Sequence, residues 1–407
     1  MRCRRFLLVP GNNSLSHIAK CLAIGEVLMS RGHEACIAVA KKHAPFLAKL
    51  NMRVAVLSDI QESDDSGFPS VEWFRYPARI IDCINAEVNL IREYQPNRVL
   101  GVFRFTLKAA ARLTGVPYDS LICGCMIPDS KEVLGFADDE PGRDEQRIIL
   151  DSFFQYAGSR LGVALAAMGL EKSNGDIRRM LKGDRTFLWD FPEFMPLPKN
   201  PDIIHVGPLP WNRWPYDPID VDVLKEGGSP LAVVSFGTCI GCLPSVPRII
   251  GVLLDLGYRV LVAAGGQKEF LNIMPSDPRV VTCVFAPLHK IFPYAALLLT
   301  HGGQLTVFEA LQNRVPVVVM PSQPEQAHNG VCLQRIGCGI RLIPPQPFRG
   351  NPKVYTDALA RMTDDQIKSR ITGLVSDSRT APRLAEVGNI VDCYGGIEEI
   401  FTRIVEV

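Results

Sequence analysis

The residues with the clearest chemical purpose lie between Leu297 and Asn329, in the run LLLTHGGQLTVFEALQNRVPVVVMPSQPEQAHN. A short apolar strand, Leu297 to Leu299, stops at Thr300-His301-Gly302-Gly303. A helical segment follows, with Leu305, Phe308, Ala310 and Leu311 on one apolar face. Val315-Pro316 ends that helix and starts a second strand over Val317 to Met320. That strand runs into a polar loop from Pro321 to Asn329, which carries Glu325 and Gln326. Glycines let backbone N–H groups approach an anion, and the positive end of the helix dipole helps to receive it. The chemistry predicted by this spacing is phosphate binding.

A second candidate is Gly11-Asn12-Asn13-Ser14-Leu15-Ser16-His17, between an apolar strand at Phe6–Val9 and a helix running to Ser30. His17 falls on the first turn of that helix, near the C-terminal edge of the sheet, and imidazole titrates near neutral pH. His33 and His43 receive no role. Of 12 cysteines, only Cys123/Cys125 and Cys239/Cys242 are close in sequence, and they lie in different halves. A zinc ribbon needs two CxxC pairs, so the thiols read as free and mostly buried, in keeping with a reducing cytosol. No paired-carboxylate metal site stands out, and Asp138-Asp139 reads as a solvated turn in an acidic loop over 129–145.

These sites need elements to hold them. Strands and helices alternate from Phe6 to about Leu170, the βαβ rhythm of a parallel, doubly wound sheet. The proline-rich VGPLPWNRWPYDP segment interrupts it as a linker, and the rhythm restarts at Leu231. The expected organisation is an N-terminal domain over 1–208, a linker over 209–228 and a C-terminal domain over 229–385. A long final helix, from about Asn389 to Val405 within 386–407, crosses back over the first domain. Two such domains leave a cleft between them for ligands. With 407 residues, 47% hydrophobic and 21% charged, the composition is that of a globular protein of about two domains. A net charge of +1 gives no bias toward nucleic acid or anionic membrane. No run of about 18 uncharged apolar residues and no signal-peptide pattern is present, so neither a membrane span nor secretion is expected.

THGGQLTVFEALQNRVPVVVMPSQPEQAHN resembles the nucleotide-sugar motif of family 1 GT-B glycosyltransferases, including the macrolide- and natural-product-modifying branch. Ser235-Phe236-Gly237-Thr238, Val206-Gly207-Pro208-Leu209 and the N-terminal Gly–loop–His–helix resemble that family in order and spacing, so the likeness covers nearly the whole chain. It implies a GT-B fold: two Rossmann-like, doubly wound α/β domains facing a cleft, with a C-terminal helix crossing back. It implies that His301, the amides of Gly302 and Gly303, and the Thr306 hydroxyl meet the donor diphosphate, with Thr238 meeting it from the other side. Glu309 matches the carboxylate that accepts from the ribose hydroxyls, and Glu325-Gln326 match the pair that holds the donor sugar. Phe285 stands where many relatives stack the nucleobase on Trp, and Leu288 replaces a usual Gln.

At His17 the resemblance implies a general base, with Asn12, Asn13 and Ser14 in the acceptor loop. The Asp that usually orients this base at the end of the fourth strand is replaced by Val102, leaving Asp119 and Asp129 as the nearest carboxylates. The function implied is inverting, metal-independent transfer of a sugar from a nucleotide diphosphate, UDP among the choices, to a small natural-product acceptor. The segments around Trp73–Ile81 and Phe153–Leu170 are candidates to line the acceptor pocket. No cofactor beyond the nucleotide sugar is expected; the enzyme would be cytoplasmic, and a homodimer is compatible with it. A nucleotide-sugar epimerase and a non-catalytic GT-B subunit are the alternatives, the second favoured by Val102.

Overall fold

A computed structural model describes residues 3–11, 14–47, 50–57, 71–171, 175–220, 228–237, 243–351 and 353–405. The chain divides into two compact units. The first comprises Met1–Lys131, Ile148–Trp211 and Gly395–Val407; the second comprises Glu132–Arg147 and Asn212–Tyr394.

Unit 1 is built on β1 (Arg5–Pro10), β2 (Glu34–Val39), β3 (Arg53–Val56), β4 (Arg98–Val102), β5 (Tyr118–Ile122), β6 (Arg185–Leu188) and β7 (Ile203–His205). They form one parallel sheet in the order β3-β2-β1-β4-β5-β6-β7. Four successive residues of β1, Phe6 to Val9, are buried, so both faces of the strand are covered, as a parallel sheet requires. The helix Leu15–Ser30 follows β1 and is capped by Ser14, whose hydroxyl accepts from the Ser16 N–H.

The C-terminal helix Gly396–Val405 packs on that helix within unit 1. Arg31 pairs with Glu398 at 3.2 Å and lies 5.2 Å from the Phe401 ring centroid. The single helix expected from Asn389 is in fact two. Thr380–Asp392 ends in unit 2, and Gly396, with φ of +53°, takes a left-handed turn before the chain enters its last helix.

Unit 2 carries β8 (Leu231–Ser235), β9 (Arg259–Ala263), β10 (Val280–Cys283), β11 (Ala295–Thr300), β12 (Val317–Val319) and β13 (Gly339–Arg341). All are parallel, in the order β10-β9-β8-β11-β12-β13. Val234, Val262, Leu299 and Val318 form its core with Ile250, Leu253, Ile367 and Ile371. Segment 132–147, placed by chain order in the first domain, makes its contacts here. Arg341 donates to the Gly135 carbonyl at 2.7 Å and pairs with Glu140, and Gln146 accepts from the Phe348 N–H at 2.7 Å. The loop read over Pro321–Asn329 is also corrected: a helix runs from Pro324 to Arg335, with Pro at its first position, where its missing N–H costs nothing.

Each sheet reverses its strand order once, between β1 and β4 in unit 1 and between β8 and β11 in unit 2. At such a switch point the loops leaving the carboxyl ends diverge and open a crevice. The loops of interest follow these four strands. Among the described residues no helix is long and apolar enough to cross a membrane.

Candidate active site

In unit 2, β11 delivers His301-Gly302-Gly303 to the start of the helix Gln304–Gln312. Gly303 is the N-cap and makes no side-chain cap hydrogen bond, so the helix start faces the loop without a capping side chain of its own. Space and conformation both call for glycine at Gly302, and at Gly303 an added Cβ would have to displace the His301 ring. A Cβ on Gly303 would lie 2.5 Å from His301 Nε2, and one on Gly302 would lie 2.8 Å from the Gln326 carbonyl, at a φ of +94°. Across the switch point, a Cβ on Gly237 would sit 3.3 Å from His301 Cε1. The imidazole is thus seated between two glycines, and the loop can offer it and the helix amides to an anion together. Thr306 is partly exposed on the first turn of the same helix.

One turn further on, Glu309 is desolvated and its carboxyl is pushed up to about 7. It acts electrostatically on Tyr216, raising that phenol after the larger effect of burial. Tyr216 belongs to segment 212–217, which is fastened to the end of β10. The Asp217 Oδ2 accepts from the N–H groups of Val284, at 2.5 Å, and Phe285, at 3.3 Å, and the Asp217 N–H donates to the Phe285 carbonyl at 2.9 Å. Phe285 is half-buried, and the Trp214 ring lies parallel to it.

The helix Pro324–Arg335 closes the other end of the loop. Asn329 Nδ2 donates to the Gly302 carbonyl at 2.8 Å and to Glu325 Oε1 at 3.2 Å, and Asn329 Oδ1 accepts from Gln304 at 3.1 Å. Gln326 is buried, and its Oε1 accepts from the N–H and hydroxyl of Ser322 at 2.9 and 3.1 Å. The amide nitrogen is therefore the end of Gln326 left to meet a ligand hydroxyl. Glu309, Glu325, Gln326, Gly302, Gly303, His301 and Thr306 all border this one loop system. Thr238, Asn12 and Asn13 lie outside the described residues, as do Cys239 and Cys242.

In unit 1, His17 stands at the β1–β4 switch point. Its Nδ1 is 3.1 Å from the Gly11 carbonyl, and the Gly11 N–H donates to the Val102 carbonyl at 2.7 Å. A carbonyl only accepts, so Nδ1 carries the proton and Nε2 keeps its lone pair. The imidazole stacks on Phe103, with centroids 5.4 Å apart and planes 13° from parallel, and Trp189 lies 5.8 Å away. Burial, then the positive charge of Lys20 one turn along the helix, lowers the imidazole to about 3; the Gly11 bond opposes this.

The carboxylates proposed to replace the missing Asp do not do so. Asp119 is buried on β5 between Arg98, at 3.0 Å, and Arg185, at 2.9 Å, while Asp129 pairs with Lys182 at 2.9 Å. The orienting group is the Gly11 backbone, which residue types alone cannot reveal. Ser14 serves as the helix cap, its hydroxyl 2.8 Å from that of Ser16. Phe103, at φ of +53°, ends β4 in a left-handed turn; Arg104, next to it, is fully buried against Glu87 at 2.6 Å.

Residues 248–392 match the family model described as erythromycin biosynthesis protein CIII-like, C-terminal domain. A rhamnosyltransferase of PGL/p-HBAD biosynthesis from Mycobacterium bovis is 24% identical over 84% of this chain and 77% of its own. Among solved structures, the kitacinnamycin glycotransferase superposes with a TM-score of 0.72 at 18% identity, covering 99% of both chains. The glycosyltransferase VinC, solved in complex with dTDP, gives 0.69 at 15% identity over 98% of both. The architecture is therefore GT-B.

Proposed function

We propose that this chain, a glycosyltransferase of GT-B fold, moves a sugar from a nucleotide diphosphate to a hydroxyl of a small natural-product acceptor, with inversion at the anomeric carbon. The observation that carries the reading is the uncapped helix start at Gly303 with His301 seated beside it, flanked by Glu309 on one side and Glu325–Gln326 on the other. A bare phosphate site needs no carboxylate; a diphosphate joined to ribose and hexose presents hydroxyls that carboxylates accept from. The complex of VinC with dTDP, a protein of the same fold, supports a nucleotide diphosphate as the ligand.

In the proposed reaction His17 Nε2 takes the acceptor proton while the acceptor oxygen bonds to the anomeric carbon. The bond from that carbon to the diphosphate breaks, and its electron pair leaves with the nucleotide. The helix amides, His301 and Thr306 receive the charge that develops there. An imidazole of such low basicity removes little proton from a resting alcohol. The acceptor oxygen becomes strongly acidic as its new C–O bond forms, so proton transfer accompanies attack rather than preceding it. Phe103 and Trp189 beside the base suit an apolar acceptor ring.

Titration with UDP, dTDP and GDP, followed by NMR assignment of the anomeric configuration of donor and product, tests the reading. Binding of at least one nucleotide and an inverted product are expected; a retained configuration overturns the mechanism. The missing carboxylate beside His17 favours a second reading, a nucleotide-sugar binder without turnover. Transfer to any acceptor excludes that reading.

A further inference from the structure

We propose that Trp214 is a nucleobase-binding residue and forms, with Phe285, a two-sided aromatic clamp for the base of the donor. This rests on the nucleotide-diphosphate reading and extends it to a segment that sequence assigns to a linker. The two rings lie within 5° of parallel, with centroids 6.5 Å apart. A flat ring held between two parallel faces needs those faces about 7 Å apart, so the base enters by the two rings moving apart along their shared plane normal.

Both rings are half-buried, so each keeps surface to offer a ligand. The backbone segments that carry them are tied together. Asp217 ties segment 212–217 to Val284 and Phe285 through three hydrogen bonds, and the tip of Phe285 abuts Gly266, where a Cβ would come within 3.1 Å of it. The same segment brings Tyr216 into the field of Glu309. Base and ribose contacts therefore converge from one short stretch, 214–217, on the two groups that sequence already places at the donor. Two aromatic faces hold a base by stacking, which needs no edge-reading side chain and accepts more than one base.

The test compares wild type with Trp214→Ala and Trp214→Phe, using UDP, dTDP and inorganic pyrophosphate as probes. Trp214→Ala should weaken both nucleotides by about tenfold and leave pyrophosphate unchanged, Trp214→Phe should restore most of the loss, and nucleotides but not pyrophosphate should quench the indole fluorescence. Nucleotide affinity unchanged in Trp214→Ala overturns the clamp while the donor reading stands. An equal loss for pyrophosphate makes Trp214 a structural anchor and also overturns it. Wild type that binds no nucleotide overturns the clamp together with the donor reading.

Discussion

At the level of single residues, the proposed donor loop is governed by what glycine leaves open and the proposed base, His17, by what holds its proton. Gly303→Ala would drive a methyl to 2.5 Å from His301 Nε2 and displace the ring. Nucleotide affinity should fall at least tenfold by calorimetry, with a much smaller change in melting temperature because the position is a loop cap. Glu309 gives a pH signature. Burial pushes its carboxyl up to about 7, so in the proposed role it is an ionised acceptor above that pH and is protonated below it. Nucleotide affinity should therefore decline as pH falls through about 7, and Glu309→Gln should be weaker at high pH and flat across that range. An unchanged pH dependence in Glu309→Gln would remove the ribose role. His301, Gly302, Gly303 and Glu309 can be picked out in the sequence because they share one strand–loop–helix, although Asn329, Gly237 and Tyr216, which surround them, come from elsewhere in the chain. The orienting partner of His17 was not, because it is the Gly11 carbonyl and carries no residue-type signal.

Elements place these residues, and their polar anchors lie where sequence distance hides them. The turn presenting Phe103 to His17 is left-handed at a bulky residue and is held by the buried Arg104–Glu87 pair, with Thr106 donating to the same carboxylate oxygen at 2.7 Å. Removing one partner leaves an uncompensated buried charge, so Glu87→Ala should cost on the order of 3–5 kcal/mol in urea unfolding and lower transfer together with stability. The helix Pro324–Arg335 reads as a polar loop in the sequence because its buried face is polar: Gln326, His328 and Asn329 are buried, which periodicity in hydrophobicity cannot register. His328 titrates at about 3, lowered by burial and then by Arg335 and Arg341. Its folded value is below the unfolded one, near 6.5, so the stability it contributes is present above about 6.5 and lost as pH falls toward 3. His328→Leu should flatten the fall in melting temperature between pH 6.5 and 5; a curve parallel to wild type would contradict this.

Across the whole chain, alternating strands and helices were readable because parallel strands buried on both faces are apolar runs, as in Phe6–Val9 and Leu297–Leu299. The short β7 and β13 escape a sequence reading because Ile203–His205 and Gly339–Arg341 mix apolar with polar or small residues, unlike the three valines of β12, and chain order puts segment 132–147 in the wrong unit because Arg341 and Phe348, which hold it, lie some 200 residues away in the chain. The proposed function amounts to a division of labour, with the nucleotide site assigned to unit 2 and the base to the switch point of unit 1. That division is tested most directly by His17→Ala, assayed for nucleotide affinity by titration and for sugar transfer by product analysis on one preparation. Wild-type affinity is expected, with transfer reduced by about 10²–10⁴-fold. Transfer at the wild-type rate would contradict it.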